Sequence, residues 1–189
     1  MIEIVSGTNR PDSKTIKLAR IIRQLYIDSG VEAQILDLVD LPPEIFLPES
    51  YKKKPEAFMA LQERILVCRG VHIVVPEYNG SFPGALKYFI DMLKFPECLE
   101  HRAVAFTGLA DGLWGGIRAV EQMQMVFNYR NAYCLPERVW FPQIGKKLTE
   151  DATAINDDFQ FSLLKDQVKR FIAFSDRNAG EAATVIKGK

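Results

Sequence analysis

Apolar residues fall along the chain in two alternating rhythms. Short, mainly apolar runs, Ile2-Glu3-Ile4-Val5, Val71 with Ile73-Val74-Val75, and Ala103-Val104-Ala105-Phe106, read as strands, the central one buried on both faces because a sheet covered by helices lacks polar alternation. Between and after them, apolar residues recur at helical spacing: Leu18, Ile21, Ile22 and Leu25; Phe58, Leu61, Ile65 and Cys68; Leu86, Phe89, Ile90 and Leu93; Val120, Met123 and Phe127; Phe161, Leu164, Val168 and Phe171. Each set marks one buried helix face. The first helix is predicted to stop at Ser29-Gly30, the second to span Glu56 to Arg69, the fourth residues 115–130 and the last Asp157 to Ser175. Glu32–Leu38 alternates in part, as a strand near a sheet edge does. Ala132–Pro142 is a fifth strand interrupted by Pro136, which places it at an edge or bulge. Strand and helix alternate throughout, so the prediction is an α/β doubly wound fold: a five-stranded parallel sheet between two helical layers.

Length and composition narrow the class. At 189 residues the chain suffices for one substantial core. Residues 1–178 are read as a single domain, and 179–189, with Gly180, Gly188 and little to bury, as a frayed tail. The 24 Lys and Arg balance 24 Asp and Glu, so no overall field draws the chain to nucleic acid or an anionic membrane. Lys52-Lys53-Lys54 reads as a solvated loop. No apolar stretch approaches the roughly 20 residues of a membrane span, and Met1 leads straight into a strand rather than a signal sequence. A soluble, cytoplasmic protein is expected. Cys68, Cys98 and Cys134 lie far apart with no CxxC pattern, which argues against a disulfide framework or zinc site. Cys98 and His101 have no second pair to complete a metal site. Asp40–Pro55 holds four prolines around Ile45, Phe46 and Leu47; it reads either as a docking segment or as a loop packed over the sheet edge.

Three loops follow the carboxyl ends of the first, third and fourth strands, where open α/β sheets bind ligands. The first, Gly7-Thr8-Asn9-Arg10-Pro11-Asp12-Ser13-Lys14-Thr15, opens a helix with hydroxyls, amides and free N–H groups, the donors a phosphate monoester needs. A polar loop with a helix cap has the same composition. Neither G-x-x-x-x-G-K-[ST] nor G-x-G-x-x-G is present in it. In the second, Pro76 ends the ladder, Asn79-Gly80 permits a tight turn, and Pro83 suits a helix start. The third, Gly108 to Gly116, carries four glycines and Trp114. Gly80-Ser81-Phe82-Pro83-Gly84 is not a G-x-S-x-G nucleophile elbow, and neither histidine has an evident partner for hydrolysis.

Gly7-Thr8-Asn9-Arg10 with Ser13-Lys14-Thr15, Pro76-Glu77-Tyr78-Asn79-Gly80-Ser81-Phe82-Pro83-Gly84-Ala85-Leu86-Lys87 with Ile90-Asp91, and Gly108 with Gly115-Gly116-Ile117-Arg118-Ala119 resemble the NADPH-dependent FMN reductase family of flavodoxin-like proteins. The middle motif is the most specific. The resemblance implies a flavodoxin-like three-layer sandwich and a noncovalent FMN. It implies NADPH or NADH as reductant, a small-molecule electron acceptor, and a homodimer or homotetramer. It assigns Thr8, Arg10, Ser13 and Thr15 to the phosphate, with Lys14 in the same cofactor site. Pro76, Glu77, Tyr78, Asn79 and Gly80 would line the isoalloxazine, and Gly108, Gly115 and Gly116 would border the ring or the nicotinamide. Asp12, Thr15 and Trp114 depart from the family pattern. Hydride passage is the cofactor's own chemistry, so no catalytic acid, base or nucleophile is required of the chain. The alternative within this fold is an FMN-binding electron carrier without NAD(P)H turnover.

Overall fold

A computed structural model describes residues 1–187. The strands are β1 (Ile2–Ser6), β2 (Ala33–Asp37), β3 (Gly70–Pro76), β4 (Ala103–Leu109), β5 (Tyr133–Cys134) and β6 (Val139–Phe141). They form one parallel sheet in the order β2-β1-β3-β4-β5, with β6 also on β4. This is the flavodoxin-like order, with its switch point between β1 and β3. Every residue of β1, β3 and β4 is buried, the polar Glu3, Ser6, His72 and Thr107 included. Helices α1 (Lys14–Asp28) and α6 (Asp158–Lys187) cover one face. Helices α2 (Glu56–Val67), α3 (Gly84–Met92) and α4 (Ile117–Tyr129) cover the other, and α5 (Ile144–Lys147) is a single turn after β6.

The expected fifth strand is two pieces along one edge. Tyr133 and Cys134 lie opposite Ala103 and Val104, and Val139–Phe141 lie opposite Thr107–Leu109. Pro136, between the pieces, has no N–H to donate to the ladder. A side chain bridges the gap: Gln167 Nε2 on α6 donates to Phe106 O at 2.8 Å and to Glu137 O at 2.9 Å.

Three boundaries differ from the pattern. Helix α2 stops at Val67, and Cys68 is its extended C-cap, buried but outside the helix. The last helix passes Ser175 and reaches Lys187, so 179–187 are helical rather than frayed; Gly188 and Lys189 lie outside the described residues. Periodicity fails there because Ala182 is the one apolar side chain fully buried beyond Ser175 among the described residues, while polar Glu181 accepts from Tyr133 OH at 2.5 Å. The proline-rich segment forms two 3-10 turns, Pro43–Phe46 and Pro48–Tyr51, after one at Leu38–Asp40, with Ile45 buried and Phe46 packed on Tyr88 at 4.8 Å between ring centres.

Beneath the sheet a buried polar chain joins α1, β3, β4 and α6. Both Gln167 amide hydrogens are donated, so its Oε1 accepts from Thr107 Oγ1 at 2.7 Å. Thr107 Oγ1 therefore accepts from His72 Nε2 at 2.8 Å, and His72 Nδ1 accepts from Tyr26 OH at 2.8 Å. The imidazole is the neutral Nε2–H tautomer with both nitrogens satisfied, and burial pushes its pKa down from 6.5 to about 3. His72 is thus a core histidine. In the window between those two values the unfolded chain binds a proton that the folded chain refuses. Stability from this group is full above pH 6.5 and falls by about 1.4 kcal/mol per pH unit as pH drops towards 3. Urea unfolding across that window should show the slope in the wild type and lose this component in His72→Gln. Equal slopes in the two proteins would contradict it.

Candidate functional site

Register places the ends of β1, β3 and β4 side by side. Ser6 lies opposite Val74, Val74 opposite Thr107 and Pro76 opposite Leu109. The three loops beyond them therefore meet. Gly7 permits it: a Cβ there would stand 2.5 Å from Val74 O, closer than any side chain allows.

In the first loop, Ser13 is the N-cap of α1, its Oγ accepting from Ile16 N at 3.2 Å and keeping its own hydrogen to donate. Thr8 is fully buried. Its Oγ1 accepts from Arg10 N at 3.2 Å and meets Tyr78 OH at 2.8 Å, tying the first loop to the second. Arg10 is exposed and makes no ion pair among the described residues. Asp12 adopts φ 48° and pairs with Lys17 at 3.2 Å, so the carboxylate that departs from the family pattern is neutralised locally. Lys14 reaches Asp111 in the third loop at 2.6 Å. Gly145 makes room for that pair, since a Cβ there would lie 2.6 Å from Lys14 Nζ.

The second loop is a two-residue hairpin turn. Tyr78 N donates to Ser81 O at 2.7 Å and Ser81 N to Tyr78 O at 3.0 Å, around Asn79 (φ 52°) and Gly80 (φ 77°). Two positive φ values in succession are what an Asn-Gly pair accommodates. Ser81 Oγ donates to Gln122 Oε1 on α4 at 2.6 Å, and Gln122 Nε2 donates to Gly80 O at 3.4 Å. Ser81 is therefore committed to fixing the turn. Glu77 N donates to Leu109 O at 3.0 Å, while Glu77 Oε2 is buried with no hydrogen-bond partner among the described residues.

Two cavities open between these loops. One of about 380 Å³ is lined by the loop from Arg10 to Thr15 together with Lys17, Pro76, Glu77, Tyr78, Leu109 to Asp111 and Ile144. The other, about 530 Å³, shares Arg10, Glu77, Tyr78, Ala110 and Asp111 and adds Asn79, Gly80, Gly112 and Trp114. The structure thus gathers Arg10, Ser13, Lys14, Thr15, Pro76, Glu77, Tyr78, Asn79 and Gly80 around one cleft, with Thr8 directly behind it. Gly108, Gly115 and Gly116 lie behind the third loop, off the cavity walls. A Cβ on Gly115 (φ 62°) would sit 2.7 Å from Pro142 N, one on Gly116 (φ 85°) 2.7 Å from Leu109 N, and one on Gly108 2.9 Å from Gly115 O. These glycines pack backbone on backbone and hold the loop down. Asp111 and Ile144 were not singled out from sequence, because long-range pairing brings them to the cleft, nor was Gln122, which holds the turn from α4.

The cleft has the donors and surfaces of an FMN site. The α1 N-terminus, Arg10 and the Ser13 hydroxyl suit a phosphate. The orphaned Glu77 oxygen lacks a donor of the kind a flavin ring N–H provides, and Tyr78 offers a flat apolar face.

Comparison with known proteins identifies the family. Residues 1–146 match the family described as NADPH-dependent FMN reductase. An NADPH azoreductase of Bacillus sp. (strain OY1-2) is 29% identical over 136 residues, 72% of this chain and 73% of that protein. A quinone reductase of Pseudomonas putida KT2440 is 26% identical over 182 residues, 94% of this chain and 95% of that one. In three dimensions the chain is similar to FerB, a flavoenzyme NAD(P)H:(acceptor) oxidoreductase from Paracoccus denitrificans, at a TM-score of 0.77, 22% identity and coverage of 94% and 97%. The chain belongs to the NADPH-dependent FMN reductase family, an enzyme family whose cofactors are FMN and a reduced nicotinamide nucleotide. No helix among the described residues is long and apolar enough to cross a membrane.

The glycine packing gives a direct test. Gly115→Ala or Gly116→Ala should each cost about 1–3 kcal/mol of stability through strain and collision. Gly112→Ala, where a Cβ meets nothing within 4 Å, should cost far less in the same urea titration.

Proposed function

We propose that this chain is an FMN-dependent oxidoreductase that takes hydride from NADPH or NADH and passes the electrons to a quinone, flavin, azo or metal-oxyanion acceptor. The observation that carries this reading is the convergence of three strand-end loops on one cleft, with a cationic helix start at one end and the Tyr78-Asn79-Gly80 turn at the other. For a quinone the balance is NADPH plus a proton plus quinone giving NADP⁺ plus hydroquinone. FMN supplies the redox chemistry when bound.

The chain's part is holding and positioning. Arg10, Lys14, the Ser13 hydroxyl and the first N–H groups of α1 receive the phosphate, with Thr15 at the cavity wall. Lys14 can serve only by leaving or sharing Asp111, a half-exposed pair of low intrinsic strength. Thr8 acts by holding Tyr78 rather than by reaching the phosphate. Pro76, Glu77, Tyr78, Asn79 and Gly80 receive the ring, Glu77 contributing its unpartnered oxygen. Gly108, Gly115 and Gly116 set the height of the third loop.

The proposal extends to a cytoplasmic protein that works as a homodimer or homotetramer. The groove between α3 and α4 supports the association of copies: Phe95, Met125 and Tyr129 are exposed there, beside half-buried Phe82 and buried Ile90.

Purified protein should be yellow or become so on adding FMN, and NADPH without oxygen should bleach it. A colourless protein that also fails to bind FMN overturns the proposal. Arg10→Ala should weaken FMN binding by about 1–3 kcal/mol through loss of a charge-assisted bond, leaving affinity for riboflavin, which has no phosphate, unchanged. Fluorescence titration with both flavins measures the two together.

A further inference from the structure

Trp114 is an anomaly in the third loop. It is 63% exposed and its neighbour Leu113 74%, and neither belongs to a hydrophobic core. Exposed tryptophan surface forfeits the stabilisation that burial would bring. Yet the backbone beneath it is tightly held. Gln143 N donates to Gly112 O at 3.1 Å, Ile117 N to Trp114 O at 3.1 Å, and the next two residues are the glycines packed against Pro142 and Leu109. The ring is braced as well: Arg118 on α4 places its guanidinium 5.8 Å from the indole centre. A large flat side chain displayed on a pinned backbone is preorganised for contact. The contact it offers lies in the cleft, because Trp114 lines the same 530 Å³ cavity as Tyr78, Asn79 and Gly80.

We infer that Trp114 is a specificity-determining residue, a stacking face that selects flat conjugated acceptors over compact inorganic ones. The inference rests on the oxidoreductase reading above and narrows its range of acceptors. Indole stacks on quinones and other conjugated rings through its π face, a contact that a tetrahedral oxyanion cannot make.

The test uses FMN-loaded protein, NADPH, and two acceptors: menadione, a flat naphthoquinone, and ferricyanide, an octahedral complex reduced without stacking. In Trp114→Ala the ratio of kcat/KM for menadione to that for ferricyanide should fall about five- to tenfold, the worth of one aromatic contact. Trp114→Phe, which keeps a flat ring, should restore most of that ratio. Equal loss on both acceptors, no change in the ratio, or a loss of FMN affinity in Trp114→Ala overturns the assignment, the last by moving Trp114 into the cofactor site. If the wild type binds no FMN or oxidises no NADPH, the oxidoreductase reading fails and this one with it. An active wild type with an unchanged ratio removes only the role of Trp114.

Discussion

Ser6, Val74 and Thr107 stand abreast in the parallel ladder, and within two residues each chain leaves the sheet through a position with no room to spare. Gly7 lies under Val74 O, and Gly108 lies under Gly115 and Gly116. Pro76, which closes β3, can extend no further ladder. This close approach of backbones is the constraint from which the cleft follows. Loops that start from one level and cannot rise apart must share one space, and they are stitched there by Thr8 with Tyr78, Lys14 with Asp111, and Ser81 with Gln122. Sequence-distant residues thus become a wall at the cost of a few glycines with unusual φ.

The two faces of the sheet are held differently. The side covered by α2, α3 and α4 is largely apolar, its buried carboxylate Glu3 held locally by Arg64 of α2 at 2.6 Å. The side covered by α1 and α6 carries the buried chain Tyr26, His72, Thr107 and Gln167. Every donor and acceptor in that chain is matched, so it loses little to desolvation and fixes which atoms meet. It also locates Thr107, and through it the start of the third loop, from the far side of the sheet.

Strand and helix identities were legible because burial on two faces and on one face leave different rhythms, as at Val71–Val75 and Leu86–Leu93. Sheet order was not, since parallel strands carry no local mark of their neighbours. The same limit applied to the cleft. Arg10, Ser13 and the 76–80 turn could be found because local motif and location coincide there. The roles within it were less visible. Thr8 was expected at the phosphate, and its hydroxyl also ties the first loop to Tyr78, a pairing no local motif announces; the Ser81 hydroxyl goes to Gln122. The three glycines of the third loop pack behind the wall rather than forming it. Asp111 and Ile144 were missed because their importance comes from partners 97 positions away in one case and from the end of the broken edge strand in the other. The end of α6 escaped because a helix held by one alanine and polar contacts leaves no apolar stripe.

The interrupted edge of the sheet has a consequence for assembly. A long, regular edge strand exposes a row of unpaired backbone groups, a template onto which another chain's strand can add. Here β5 and β6 are two and three residues long, broken at Pro136, and the carbonyl that the break would strand at Phe106 is occupied by Gln167. The amide on α6 substitutes for a missing rung and closes the ladder from within. On that side the sheet presents no continuous template for strand addition, which protects that edge against edge-to-edge aggregation and leaves β2, five residues long, as the sheet's one regular edge among the described residues.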